Sequence, residues 1–463
     1  MVVLLKRKLY WLFILSISFQ TIHAQQKEQY NLSTLIDAAV KYYPLLMQKQ
    51  ALVNSAQANV TDIKHSFLPS LNVSDEIVMA SANQLPGTAL PIEILPSVSG
   101  GTRAANNWQA TSTNMGVLYS EYLLADFGLK NAKIKNAETF SNVQMSDLQR
   151  TIFSLKASIT QLYLQLIQTQ FRLSAERLNI ERYQYIFDLI KSLTQSGLVA
   201  GVDSSLAKAE LSKARSAYNQ VTGALFQLKN QLSFYTGIAS SKIVADTTSS
   251  TNYLPKLLPE AFTYDSVHHP LIDYYIKKRD FNIANEKLVS KSFQPKILLA
   301  GSTWARGSSI TYNDQYNSLT NGLGYQRFNY AAGVSFVYDL FNGLHKKDKL
   351  QISHFETEAA NFDLIQEKMA LGNALLQSQD AIRVADDNLH ELPIQMKAAQ
   401  DVYQQKLAQY KAGIISLIDL TNASFVLYRS EIDYIDAMNS WYIAVFNKAT
   451  ATNNLDMFIQ QIK

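Results

Sequence analysis

Two aspartates carry most of the chemistry that residue type and spacing suggest in this chain. Asp203 and Asp419 each stand six residues after a glycine, Gly197 and Gly413, in the phrases GLVAGVD and GIISLID. A tyrosine follows each aspartate by 15 residues, Tyr218 and Tyr434. A carboxylate just beyond a helix-ending glycine suits the first turn of a returning helix, where it can cap free amide groups. Enzymatic chemistry finds no such footing. His65, His268, His269, His345, His354 and His390 show no HExxH spacing, and His268-His269 precedes Pro270 where another part of the chain has Tyr43-Pro44. Gly322-Leu-Gly324 lacks a third glycine and a following helix signal, so it reads as a loop. No Walker phrase and no GxSxG occurs. The expectation is no enzyme, no cofactor and no metal.

The elements that position the aspartates are written twice. Pro44 lies 25 residues before Pro69, and Pro270 lies 25 before Pro295. YLLADFGLKNAK, with Gly128, answers VYDLFNGLHKKDK, with Gly343, and the tip glycines follow after 69 and 70 residues. The stretch from Pro69 to Gly128 is 11 residues longer than its counterpart, a surplus that fits the Pro/Gly-rich run from Asn83 to Asn106. The organisation expected is a signal peptide at 1–24, a first repeat at 25–250 and a second at 251–463. Each repeat reads helix, strand, loop, strand, very long helix, tip, helix.

The first helices are predicted from about Tyr42 to His65 and from Leu271 to Ser292, ended by prolines that cannot continue a helix. Strands are predicted at about 67–82, 107–123, 294–306 and 326–340. Leu71, Val73, Ile77 and Met79 share one face; Phe328, Tyr330, Ala332, Val334, Phe336 and Tyr338 share another. Two readings fit this alternation, an outer-membrane strand with aromatic ends and a half-buried soluble hairpin. Helices of about 68 residues, Gly128 to Gly197 and Gly343 to Gly413, would each be roughly 100 Å long. Ile152, Leu155, Ile159, Leu162, Leu166 and Leu173 form one heptad seam; Phe355, Phe362, Met369 and Leu376 form another. Such seams suit a two-stranded coil within one chain or a wall of helices side by side.

Composition narrows the setting. Lys6, Arg7 and Lys8 before an apolar run from Leu9 to about Ile17 predict a secretory signal cleaved after Ala24, with Ile22 at the −3 position. Without those three cations the formal charge of +4 falls to 39 basic against 38 acidic residues, which leaves no polybasic field for nucleic acid. The chain has no cysteine, which excludes disulfides, thiolate metal sites and an N-terminal lipid anchor on cysteine. No later segment has 18 consecutive apolar residues, so a membrane role would have to use strands.

The signal, the duplicated unit and the tip phrases together resemble TolC-type outer-membrane efflux proteins over essentially the whole mature chain. The resemblance implies a mainly α fold with a membrane β-barrel. Four strands per protomer would close a 12-stranded barrel in a homotrimer, continued by a long periplasmic α-helical barrel of coiled-coil helices. It implies an outer-membrane channel of a Gram-negative bacterium, set in outer-membrane lipid and extending into the periplasm. Such a channel is the exit duct of a tripartite efflux or type I secretion system. Its partners would be a periplasmic adaptor (membrane fusion) protein and an inner-membrane transporter. The hairpin loops at about Asn83 to Asn106 and Gly307 to Tyr325 would face the exterior.

Each tip phrase would then lie at the periplasmic mouth, where three copies of each carboxylate could ring the entrance and attract cations. Capping and ring formation are compatible. By resemblance Asp203 matches a gate aspartate and Tyr410 a gate tyrosine. Ile415 replaces the expected arginine, and Asn422 stands where a second aspartate is usual. A gate with more apolar contact, through Ile414, Ile415 and Leu417, is expected. Leu198, Val199 and Ile414, beside Gly197 and Gly413, would either dock the adaptor's helical hairpin or staple each tip to itself. The rival classes are an exported coiled-coil scaffold or adhesin stalk without a pore, and a periplasmic adaptor.

Overall fold

The computed structural model describes residues 30–83, 102–245, 262 and 268–462. The expected signal peptide, most of the loop between Asn83 and Asn106, and the 250/251 boundary lie outside the described residues. The helices and strands are α1 (Leu32–Tyr42), α2 (Pro44–His65), β1 (Ser70–Ser81), β2 (Ala110–Ala125), α3 (Leu129–Gln195), α4 (Gly201–Thr236), α5 (Pro270–Ser292), β3 (Lys296–Ser308), β4 (Arg327–Val337), α6 (Gly343–Lys411), α7 (Leu417–Ala451) and α8 (Leu455–Gln461). The order α2–β1–β2–α3–α4 returns as α5–β3–β4–α6–α7.

The first expected helix, Tyr42 to His65, is α2, and a further helix, α1, precedes it. Asn31 caps α1 by accepting from the Thr34 amide at 2.9 Å, and Leu32, Leu35, Ile36 and Ala39 are buried on one face. Tyr43 then takes an extended conformation, φ −67° and ψ 117°. Pro44 forces this, because a residue before proline is pushed out of the α region while proline itself opens a helix at no cost.

The chain divides into two compact units that cut across the sequence repeats. One comprises residues up to Val53, Gln144–Ile276 and Phe362–Lys463; the other comprises Asn54–Val143 and Lys277–Asn361. In the first unit, one core gathers α1, the middle of α3 and the ends of α4 and α7 with α8, through Leu32, Ile159, Leu166, Leu232, Val445 and Phe458. The seam Leu155, Ile159 and Leu166 is buried there. A second core, including Tyr183, Ile186, Ile190, Leu211, Tyr403, Leu417 and Leu420, joins the last turns of α3 and α6 to the first turns of α4 and α7. The other seam is not packed within the chain: Phe355, Phe362, Met369 and Leu376 are all exposed.

The second unit holds a four-stranded antiparallel sheet in the order β1-β2-β3-β4. Ser70 pairs with Glu121 and Lys296 with Val337, so all four helix–strand junctions lie at one end of the sheet and both hairpin loops at the other. The register puts Leu71, Val73, Ile77, Met79, Leu118, Phe328, Tyr330, Val334 and Phe336 on one face. Asn72, Ser74, Glu76, Thr113, Arg306, Asn329 and Ser335 lie on the opposite face. The β3–β4 loop folds back across β2. Asn114 donates to the Leu323 carbonyl at 2.8 Å, Tyr325 donates to Asp75 at 2.9 Å, and the Tyr325 ring fills the space that Gly116 leaves. No helix among the described residues is long and apolar enough to cross a membrane.

Candidate functional site at the hairpin tips

Both long helices end in the same hydrogen-bonded motif. The Leu198 amide donates to the Leu193 carbonyl and Gly197 to Thr194; Ile414 donates to Gln409 and Gly413 to Tyr410. Gly197 and Gly413 have φ of +74° and +70°, the left-handed backbone that this Schellman turn requires. The spacing that made these glycines conspicuous is therefore the spacing of a helix stop.

Beyond the stop the two tips diverge. At the second tip Ser416 and Asp419 form a complete capping box. The Asp419 amide donates to Ser416 Oγ at 3.2 Å, and the Ser416 amide and hydroxyl donate to Asp419 Oδ2 at 3.1 and 2.6 Å. These bonds hold the Asp419 carboxyl below the ordinary aspartate range, with a smaller contribution from nearby Lys406. Asp203 occupies the same third helical position of α4, but Ala200 stands where the serine would be and provides no side-chain cap. Asp203 is thus a first-turn carboxylate beside free amides, not the capping group expected from its spacing.

The gate residues named from the sequence separate into three settings. Tyr410 is buried in the tip core, its hydroxyl without a hydrogen-bond partner, and burial followed by the field of Asp203 pushes its pKa up. Asp203 of the first tip and Tyr410 of the second are thus neighbours across the two hairpins, with no hydrogen bond between them among the described residues. Ile415 and Leu417 pack into that core, so they form the hairpin's interior where an apolar gate surface was expected. Asp419 and Asn422 line an open groove of about 520 Å³ between α6 and α7, with Gln395, Val402, Lys406 and Val426.

The residues expected to dock an adaptor differ in exposure. Leu198 and Ile414 are 74% and 72% exposed, whereas Val199 is half-buried. Val202 and Ile418, which the sequence reading passed over, are 71% and 60% exposed. Aligning GLVAGVD with GIISLID would have found them, because each falls one residue before its aspartate. Each tip therefore presents two apolar side chains four residues apart, fixed by a rigid turn. A polar ladder behind the tips was also missed. Arg182 grips Glu431 through two bonds of 2.7 Å, Gln168 donates to Asp436 at 2.8 Å, and Tyr428 donates to buried Glu176. Burial and then the Glu176 carboxylate push the Tyr428 hydroxyl far above its ordinary pKa. Its sequence signal is polar residues interrupting the heptads of α3 after Leu166.

Histidine 269 is fully buried and fully satisfied. The Leu271 amide donates to Nδ1, which puts the proton on Nε2, 3.0 Å from the Thr450 carbonyl, and the ring meets Phe153 edge to face. It closes the first turn of α5, the position its twin Tyr43 fills with Phe234 and Tyr235.

No curated protein sequence matches the chain. The fold is shared with solved outer-membrane proteins at low identity. The outer-membrane channel OprN is 15% identical with a TM-score of 0.71, covering 94% of this chain and 93% of its own. The outer membrane protein VceC of Vibrio cholerae is 13% identical at TM-score 0.72, covering 91% and 95%. The CmeC outer membrane channel of Campylobacter jejuni is 13% identical at TM-score 0.72, covering 93% and 87%. The family model described as outer membrane efflux protein matches residues 35–238 and 282–454, which include both strand pairs and both tips. The chain belongs to the outer membrane efflux protein family.

Proposed function

We propose that this protein is the outer-membrane exit duct of a tripartite efflux or secretion system, assembled as a trimer. The observation that carries this reading is the pair of bare sheet edges. Among the described residues β1 and β4 are each paired on one side only, and every residue of both is exposed in the single chain. Lipid satisfies no backbone group, so a sheet in a bilayer must close on itself. Four strands cannot close alone, whereas three copies joined β4 to β1 make twelve. The uncovered seam from Phe355 to Leu376 favours the same arrangement, with α6 packing against another copy. The aromatic and aliphatic face of the sheet meets lipid and the polar face lines the lumen.

At the hairpin tips, Leu198, Val202, Ile414 and Ile418 with Gly197, Val199 and Gly413 form the contact for a periplasmic adaptor, which links the duct to an inner-membrane transporter. Asp203, Asp419, Asn422, Tyr410 and Ile415 set the charge and rigidity of the mouth. The test is purification in detergent, chemical cross-linking and planar-bilayer recording. A cross-linked trimer that conducts ions supports the duct. Recovery as a soluble periplasmic monomer overturns it in favour of a scaffold.

A further inference from the structure

The helix–strand junctions carry a concentration of charge that folding does not require. Residues 60–70, 124–136, 285–297 and 337–349 all lie at the same end of the sheet. Together they hold ten lysines against five carboxylates, a net of +5, where the whole chain has a formal charge of only +4. Helix electrostatics accounts for part of this: Lys64 and Lys291 stand in the last turns of α2 and α5, where a cation suits the dipole. Lys130, Lys133, Lys346 and Lys347 do not fit that account. They occupy the first two turns of α3 and α6, the ends that repel cations, and neither first turn contains an acidic residue.

Three of the carboxylates are already engaged, Glu286 by the Thr357 hydroxyl at 3.3 Å. Asp126 accepts from the Gly128 and Lys130 amides, and Asp339 from the Phe341 amide. The ammonium groups of Lys130 and Lys133 lie 5.6 and 5.7 Å from the centre of the Phe67 ring, which holds both at the junction. Beside this collar stand exposed Leu68, Leu124, Phe127, Tyr338, Leu340, Phe341 and Leu344. Apolar and aromatic side chains next to lysines make the pattern of a membrane–water interface. The opposite end of the sheet has no such excess in its described loops: Arg103 and Asp314 pair with each other.

We infer that this collar binds the phosphate groups of anionic phospholipids, phosphatidylglycerol or cardiolipin, in the leaflet that faces the periplasm. The inference rests on the channel reading, which sets the helix end of the sheet in the periplasm. Anionic headgroups offset the unfavourable cations at the two helix N-termini. Anchoring there also fixes the depth and orientation of the barrel.

Native mass spectrometry of the detergent-purified full chain, mixed with phosphatidylglycerol, phosphatidylcholine and lipid A, tests this. Phosphatidylglycerol should be retained over phosphatidylcholine by about tenfold or more, and added salt should erode the preference. The variant Lys130→Gln/Lys133→Gln/Lys346→Gln/Lys347→Gln should lose it, while Lys208→Gln/Lys213→Gln, in α4 and outside the collar, should keep it. Equal retention of the two phospholipids, a preference that survives the fourfold variant, or stronger retention of lipid A would each overturn the collar. Bilayer conductance recorded on the same preparation separates the two failures. Conduction with equal phospholipid retention removes only the collar. A chain that neither inserts nor conducts removes the channel reading beneath it.

Discussion

Ser416 and Asp419 hold each other in the capping box, and substitution can separate that role from the one proposed for Asp419 at the mouth. Ser416→Ala should cost about 1 kcal/mol of tip stability, measured by denaturant unfolding, because an amide at the α7 start loses its acceptor. Asp419→Asn keeps a capping oxygen but removes the charge. It should leave the trimer intact and lower cation preference in single-channel reversal potentials. The change should be modest at physiological salt, where the Debye length is about 8 Å; reversal potentials equal to wild type would make Asp419 a cap alone. The pH dependence has a defined sign. The folded Asp419 carboxyl is held below its unfolded value, so the stability it contributes is fully present above the ordinary aspartate range. It declines as the pH falls through that range and is gone below the lower folded value. The tip glycines make a parallel case. Gly413→Ala meets no neighbouring atom but places a side chain at φ +70°, so it should destabilise the tip by about 1 kcal/mol. Gly372, inside α6 with ordinary backbone and open space, should instead tolerate alanine with a gain of roughly 0.5–1 kcal/mol.

Between elements, the ladder joining α3 to α7 replaces apolar seam with partly buried charge. Arg182 and Glu431 are 14% and 19% exposed, so neither is well solvated when left alone. Arg182→Met should destabilise the helix pair by about 3–5 kcal/mol, whereas Arg182→Met/Glu431→Leu should recover most of that loss. A thermal-unfolding double-mutant cycle measures the difference, and additive losses would mean the two side chains do not interact. The ladder also fixes register, since a purely apolar seam could slide by a heptad. Other element-level rules held only in part. Pro44 starts α2 as its missing amide predicts, yet α6 runs from Gly343 to Lys411 with Pro393 inside it. In a helix of 69 residues the packing of its neighbours outweighs the one backbone bond that proline removes.

For the whole molecule, the assignment of sheet faces is the testable geometry. Val334 shares the face of Tyr330 and Phe336, while Ser335 lies opposite. Val334→Arg should weaken folding into vesicles by about 2–4 kcal/mol, the cost of a cation against lipid near the midplane. Ser335→Arg should fold normally and alter conductance. The reversed pattern would exchange lumen and lipid. A tag at Asn317, in the β3–β4 loop at the end of the sheet opposite the lysine collar, should be labelled on intact cells; labelling only after rupture of the outer membrane would invert the topology.

Much of the molecule could be read from the sequence because repetition doubled each weak signal. One glycine six residues before an aspartate says little, but two of them after equally spaced prolines define a unit, and backbone rules then place the helix stops. The same local rules missed α1, although Asn31 and the 32, 35, 36, 39 spacing spell a capped amphipathic helix. What the sequence could not decide depends on neighbours distant in the chain. Ile415 and Ile414 are adjacent and equally apolar, yet one packs into the tip core and the other faces solvent. The two heptad seams look alike in sequence. Tertiary structure buries the Leu155–Leu166 seam and leaves the Phe355–Leu376 seam bare, because burial depends on which helix lies opposite and periodicity names only a face.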